Sequence, residues 1–229
     1  MRNLLFADWS GAAHDHFWPA LALTAALAYL LGSIPFGVLI TRAAGVGDVR
    51  NIGSGNIGAT NVLRTGRKDL ALLTLLLDGG KGGLAVFLAR WFLLDLGERD
   101  VFEAVAGGAA FLGHLFPVWL KFKGGKGVAT FFGVLLVAAW PVGLAAGAIW
   151  IGMAAAFRYS SLAALTAAAL SPWLAVLFSR AVMEPPLVVH ARAVMYLAAF
   201  MAALIVVRHR ANIARLRRGE EPRIGGKKA

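Results

Sequence analysis

The chain has 229 residues, 59% of them apolar, with a mean hydropathy of +0.70 and a formal charge of +11. A soluble domain is nearer half apolar, so this composition excludes one and describes an integral membrane protein with a single membrane domain. The basic excess is placed as the positive-inside rule requires and suits anionic lipid or substrate, which argues against a nucleic-acid partner; without cysteine there is no disulfide framework, thiol nucleophile or thiolate metal site.

Residues 1–19 read as an extracytoplasmic extension. Arg2 is followed too soon by the break Asp8-Trp9-Ser10-Gly11 for a cleaved signal peptide. Apolar runs then recur at about 20–42, 70–94, 101–119, 127–140, 141–157, 160–180 and 190–207. A span needs roughly 20 residues, with about 17 as the lower limit, so the first three and last two qualify. The stretch 127–157 is long for one helix and short for two. Pro141 sits in its middle beside Trp140, where proline breaks or kinks a helix. Charge decides between the two options. Seven spans with the N-terminus outside place seventeen basic residues inside and five outside; one span over 127–157 gives ten against twelve. The orientation rule expects a clear cytoplasmic excess. The expected fold is therefore all-α, with seven transmembrane helices over 20–207, the N-terminus outside and the C-terminus cytoplasmic. Spans four and five form a short hairpin around Pro141. Cytoplasmic loops at 43–69 and 117–127 and a basic tail at 208–229 complete it.

Gly32-Ser33-Ile34-Pro35-Phe36-Gly37 reads as a close-packing kink in span one. Asp78 and Lys81, three apart inside span two, are costly at that depth. A structural pair pinning the helix to the bundle is favoured over a catalytic one. Gly143 and Gly147 in span five, and Ala163, Ala164, Ala167, Ala168 and Ala169 in span six, are positions for close helix approach. The tail is a basic helix with Ile213 and Leu216 on one side, suited to the membrane interface.

Three polar segments share the cytoplasmic side on this topology. The first is Gly53-Ser54-Gly55-Asn56-Ile57-Gly58-Ala59-Thr60-Asn61-Val62-Leu63-Arg64. Its glycines let backbone N–H groups converge, which binds anions; Ser54, Asn56, Thr60 and Asn61 add donors, and Arg64 a planar fork. The second runs from Gly113-His114 to Lys121, Lys123-Gly124-Gly125-Lys126-Gly127 and Thr130, and its glycines open span four, where helix N–H groups attract phosphate. It is not a nucleotide-binding P-loop, because no G-x-x-x-x-G-K-[ST] pattern or upstream strand is present. The lysines also serve as topology signals. The third is Arg208-His209-Arg210-Ala-Asn212-Ile-Ala-Arg215-Leu, in which His209 and Asn212 share a helix face. His114 stands open between a helix cap and the site. His14, His16 and His190 fall on the outer face and have no assigned role. No His or carboxylate cluster has metal spacing, so neither metal nor cofactor is expected, and no carboxylate stands out as a general base.

GSGNIGATNVLR at 53–64, GHLFPVWLKFKGGKGVAT at 113–130 and RHRANIARL at 208–216 resemble, in that order, the bacterial acyl-phosphate:glycerol-3-phosphate acyltransferases of the PlsY family. GSIPFG at 32–37 and DGGKG at 78–82 are similar to its transmembrane motifs, and the likeness covers about residues 20–220. Two glycines between Asp78 and Lys81 stand where the family leads one to expect a bulky apolar pair. The resemblance implies acyl transfer from acyl phosphate to the sn-1 hydroxyl of glycerol 3-phosphate, giving lysophosphatidic acid and phosphate. It implies that Ser54, Thr60, Asn61 and Arg64, with Gly53, Gly55, Asn56 and Gly58 around them, hold phosphate. Lys126, with Lys123, Gly124, Gly125 and Gly127, does so from the second segment, while Arg208, His209 and Asn212 close the site from the tail. Ser54, Arg64, Lys126, His209 and Asn212 are the expected catalytic set. The implied setting is the bacterial inner membrane, with lipid as surroundings and an upstream acyl-phosphate-forming enzyme as supplier.

The residue chemistry agrees with that expectation. Two phosphates a few ångströms apart repel strongly in a low dielectric, and Arg64, Lys126, Arg208 and His209 are the cations available. The donor is already activated, so positioning and charge stabilisation supply most of the rate without an acyl-enzyme. A phosphate oxygen of the donor is expected to take the hydroxyl proton, with His209 orienting or assisting. The competing reading is a phosphate or organic-anion transporter, but ion paths need polar positions through the whole bilayer, and here charge gathers at one face. A structural lipid-interaction protein would not need these side chains in three loops.

Overall fold

A computed structural model describes residues 12–92, 99–181 and 191–225. Among these the chain is helical throughout, without strands. His190, Arg2, Lys227 and Lys228 lie outside the described residues, as do the side chains of His14 and Arg180; His16 is exposed on the first helix.

The first helix, α1 (Ala12–Gly32), begins eight residues before the expected span, with Pro19 inside it. It breaks at Ser33–Pro35 and resumes as α2 (Phe36–Ala43). A long connection follows, carrying a single turn of α3 (Ala59–Val62) between 3-10 turns at Val49–Asn51 and Leu63–Thr65. Next come α4 (Lys68–Phe92), α5 (Arg99–Leu115), α6 (Val128–Ala138), α7 (Trp140–Phe157), α8 (Ser160–Ala181), α9 (Ala191–Arg208) and α10 (Arg210–Arg218). Among the described residues, five segments are long and apolar enough to cross a membrane, and α9 with α10, bent by 61°, makes a sixth if taken as one broken span. The chain is a multi-pass membrane protein. Large side chains such as Leu23, Leu76, Trp91 and Trp173 stand exposed on the outer surface, as a lipid solvent requires.

The stretch expected to be a short hairpin divides into α6 and α7. At about 1.5 Å per residue, the 11 residues of α6 reach about 16 Å, half the hydrocarbon thickness. The helix is interrupted at Ala139, and Pro141 falls in the first turn of α7, where its missing N–H is harmless. Gly143 is pressed on the backbone of Leu135 and Leu136, but Gly147 has open space beside it, so only half of that small-residue pair is used. Likewise Ala163, Ala164, Ala167 and Ala168 are buried while Ala169 is exposed. Arg90 of α4 grips Glu103 of α5 at 2.7 Å and reaches the last carbonyl of α6, on Ala138, at 3.4 Å.

The close approach of α4 and α6 depends on Gly133, where a Cβ would stand 1.9 Å from the Gly79 carbonyl oxygen; of the glycines between Asp78 and Lys81, a Cβ on Gly79 would stand 3.3 Å from the Ala129 carbonyl oxygen and Gly80 faces open space. The main core, with Phe111, Leu115, Phe131, Val134, Met201 and Ile205, packs α5, α6 and α9 beneath the polar loops. A smaller core of Val38, Val49, Ile57, Val62 and Leu70 anchors the connection between α2 and α4. Each such side chain contributes about 1.5–3 kcal/mol when fully buried, enough to hold an otherwise irregular loop in place.

Candidate active site

In the first polar loop, Gly53 and Gly55 take positive φ (56° and 68°), which turns the chain back over Asn61. Asn61 is buried, and its Nδ2 donates to the carbonyls of Val49, Ile52 and Asn56 at 2.8–2.9 Å. Its Oδ1 accepts from the Ser54 N–H at 3.0 Å and from Ser54 Oγ at 3.2 Å. The amide is fully engaged, so Asn61, expected to hold phosphate, instead braces the loop that would do so. Asn56 Oδ1 accepts from the Gly58 N–H at 3.1 Å, a local turn of the same scaffold. Ser54, Thr60 and Arg64 stay exposed. Arg64 lies across Gly53, and its guanidinium makes no hydrogen bond or ion pair among the described residues.

In the second loop, Lys123 is exposed, Gly125 and Gly127 are buried, and Gly127 (φ 83°) caps the start of α6 against the Phe111 ring. Lys126 Nζ donates to Asn212 Oδ1 at 2.5 Å. Burial, with the charges of Arg215, Arg64 and Arg208, pushes Lys126 down to about 8, against the pull of Glu221. All three segments therefore act on one ammonium group. Arg208, expected to clamp phosphate, gives Nε to the Gly125 carbonyl at 3.0 Å and Nη2 to the Gly124 carbonyl at 2.7 Å, stacking on Phe116. Its charge remains near the site while its donors hold the second loop.

His209 occupies the joint between α9 and α10, almost wholly buried. Its Nδ1 lies 2.8 Å from the Ile205 carbonyl, which can only accept, so Nδ1 carries the hydrogen and Nε2 is an acceptor. Burial, then the Lys126 charge, holds this imidazole down to about 4, neutral at physiological pH. Asn212 gives its carbonyl to Lys126 and its Nδ2 to Glu221 at 2.6 Å. It orients the lysine, with one of its two Nδ2 hydrogens committed to Glu221.

Glu221 escaped the sequence reading, because one of two adjacent acids in a basic tail carries no spacing signal. It accepts from Asn212, from Ser161 Oγ at 2.7 Å and from Arg215 Nε at 2.7 Å. Burial pushes its carboxyl up, but those hydrogen bonds and the Arg215 charge win and hold it below the usual range. Its oxygens are engaged, so it fixes Asn212 and is not placed as a base. His114 is no helix cap: it is buried against Asp78, Nδ1 to Oδ1 3.6 Å. Asp78 and Lys81 form the expected pair, at 2.7 Å.

Uncommitted donors thus remain on Thr60, Arg64 and Lys126, and His209 adds one neutral imidazole acceptor. A polytopic helical protein with such a cluster is a membrane protein built to act on phosphorylated substrates. The sequence profile of the family described as glycerol-3-phosphate acyltransferase matches residues 22–219. The chain is 64% identical over 200 residues to the glycerol-3-phosphate acyltransferase of Caulobacter vibrioides strain NA1000 / CB15N, covering 87% of this chain and 86% of that one. It is 60% identical over 205 residues to that of Jannaschia sp. strain CCS1, covering 90% and 93%. Its structure matches the crystal structure of PlsY, an integral membrane glycerol 3-phosphate acyltransferase, in the glycerol 3-phosphate form. There the TM-score is 0.77 at 39% identity, over 90% of this chain and 96% of that chain; the lysophosphatidic acid form gives 0.76 at 36%. The chain belongs to the PlsY family of glycerol-3-phosphate acyltransferases.

Proposed function

We propose that this membrane enzyme transfers a fatty acyl group from acyl phosphate to the sn-1 hydroxyl of glycerol 3-phosphate, releasing phosphate and lysophosphatidic acid. The reading is carried by the convergence of Arg64, Lys126 and His209, from three distant segments, on one partly buried cluster. Arg64 and Lys126 supply fixed positive charge for two phosphates that would otherwise repel, and the Thr60 hydroxyl, joined by that of Ser54 once it turns from Asn61, supplies a neutral donor. The hydroxyl oxygen forms the new ester bond to the acyl carbon as the carbon–oxygen bond to phosphate breaks. Before attack the hydroxyl donates to Nε2 of neutral His209, which orients it; as the ester bond forms, that proton shifts from the hydroxyl to an oxygen of the departing phosphate. Asn61, Arg208, Asn212 and Glu221 keep these groups in place.

The same reading assigns seven crossings, with α6 as the short fourth. The N-terminal residues 1–19 lie outside, and the loops and the tail 208–229 face the cytoplasm across a bacterial inner membrane. The seventeen-to-five distribution of basic residues supports this placement. An acyl-phosphate-forming enzyme would supply the donor, and the acyl chain would lie between helices, open to lipid.

The test is acyl transfer by purified protein offered acyl phosphate, acyl-CoA and acyl-carrier protein in turn. Lysophosphatidic acid should form from acyl phosphate alone, with one phosphate released per acceptor consumed. Transfer from acyl-CoA alone, or phosphate flux across vesicles without chemistry, would defeat the proposal.

A further inference from the structure

Lys81 and Asp78 of α4 make a fully buried ion pair within the membrane domain, and each partner has a second attachment. Lys81 Nζ donates to the Ile34 carbonyl at 2.7 Å, at the break between α1 and α2. Three residues on, Gly37 is pressed on the first polar loop so closely that a Cβ there would stand 1.9 Å from the Ile57 carbonyl oxygen. The other arm reaches the second loop. The Asp78 backbone carbonyl accepts from Thr130 Oγ1 at 2.9 Å, in the first turn of α6. Its carboxylate faces His114 Nδ1 at 3.6 Å, and the His114 ring lies directly beneath Gly125, where a Cβ would stand 2.1 Å from Nε2. The His114 carbonyl also accepts from the Gly125 N–H at 3.1 Å.

Stability does not account for this arrangement. A buried ion pair roughly breaks even against apolar residues of the same size, because desolvation offsets the attraction. His114 Nδ1, moreover, makes no hydrogen bond among the described residues although its side chain is 97% removed from solvent, which is itself unfavourable. What the three groups share is that each touches an element carrying one of the two glycine loops.

We propose that Asp78, Lys81 and His114 are positioning residues that set the separation of the two phosphate-binding loops. Lys81 acts through Ile34 and Gly37 on residues 53–58, and Asp78 acts through His114 and Thr130 on residues 124–127. The inference rests on the phosphate-binding reading of those loops given above. Two phosphates must be held at one spacing for the hydroxyl to meet the acyl carbon, so a shift of loop spacing weakens capture and alignment while the bundle stays folded.

The chain has no cysteine, so nitroxide labels can be placed at exposed Leu63→Cys and Trp119→Cys, one on each loop, and their separation read by pulsed electron resonance. The double variant Asp78→Asn/Lys81→Met keeps shape and removes both charges. It should melt within about 3 °C of its parent or above it. Its kcat/KM for glycerol 3-phosphate should fall about tenfold or more, mostly through KM, and the label separation should broaden. His114→Ala should broaden it in the same way. An active variant with unchanged separation overturns the proposal, as does activity that falls only in step with melting temperature, or a double variant that cannot fold. A parent protein without acyl transfer refutes the reaction instead, and the label separations with and without inorganic phosphate still report on loop spacing.

Discussion

Replacing Lys126 by methionine should abolish acyl transfer and at the same time make the unliganded protein more stable. The fall of the ammonium group from an ordinary 10.5 to about 8 corresponds to about 3 kcal/mol of disfavoured charge at neutral pH. Removing the amine also leaves Asn212 Oδ1 without its donor, which costs about 1–2 kcal/mol at this partly buried site. The balance favours Lys126→Met by about 1–2 kcal/mol, or about 4 °C in melting temperature for a chain of this size. The sign with pH is fixed. Because the folded value lies below the unfolded one, the parent is penalised fully below about pH 8 and regains stability as pH rises from about 8 toward 10.5. The gap between variant and parent should therefore close over that window. Thermal unfolding in detergent at pH 6.5 and pH 10, with and without glycerol 3-phosphate, is the assay. Ligand should raise the melting temperature of the parent and leave the variant unmoved. A variant that melts at or below the parent at pH 6.5 would falsify the claim that this cation is held at a cost released by phosphate.

Three other outcomes follow from the same geometry. Arg64 is exposed and unpaired among the described residues, so Arg64→Lys should leave melting unchanged while kcat/KM drops about a hundredfold, because an ammonium cannot replace a bidentate fork; steady-state kinetics beside a melting curve decide it. Asn61→Ala deprives three carbonyls and the Ser54 N–H of their partner, at about 1–3 kcal/mol for each buried group. Amide exchange over residues 49–61 should accelerate far more than in α4 or α5, and equal protection in both regions would contradict the bracing role. His209 is held down to about 4, so its neutral form prevails from about pH 5 upward and its titration should bend only the acid end of the rate profile, the alkaline bend belonging to Lys126 near 8. A bend near pH 6.5 that vanishes in His209→Gln would show the ring titrating normally, and a His209→Ala enzyme with near-normal turnover and KM would remove it from catalysis.

The sequence by itself determined the membrane class, the positions of the helical runs and the three segments that meet at the site. Hydropathy, glycine clusters and basic residues are properties of adjacent positions, and a bilayer converts them directly into spans and polar loops. It did not determine what each polar side chain does. Asn61, Arg208 and Asn212 have the composition of phosphate ligands, but Asn61 and Arg208 hold backbone carbonyls and Asn212 holds Lys126 and Glu221. That division depends on partners such as Asn212 for Lys126, 86 positions apart, which only packing brings within hydrogen-bond reach. Tertiary structure also decided that α6 stops after 11 residues, that Gly147 and Ala169 stay out of the helix contacts, and that Glu221 and His114 stand behind the site. An acid or imidazole acquires its role from the charge placed opposite it, and no local pattern in the chain records that neighbour.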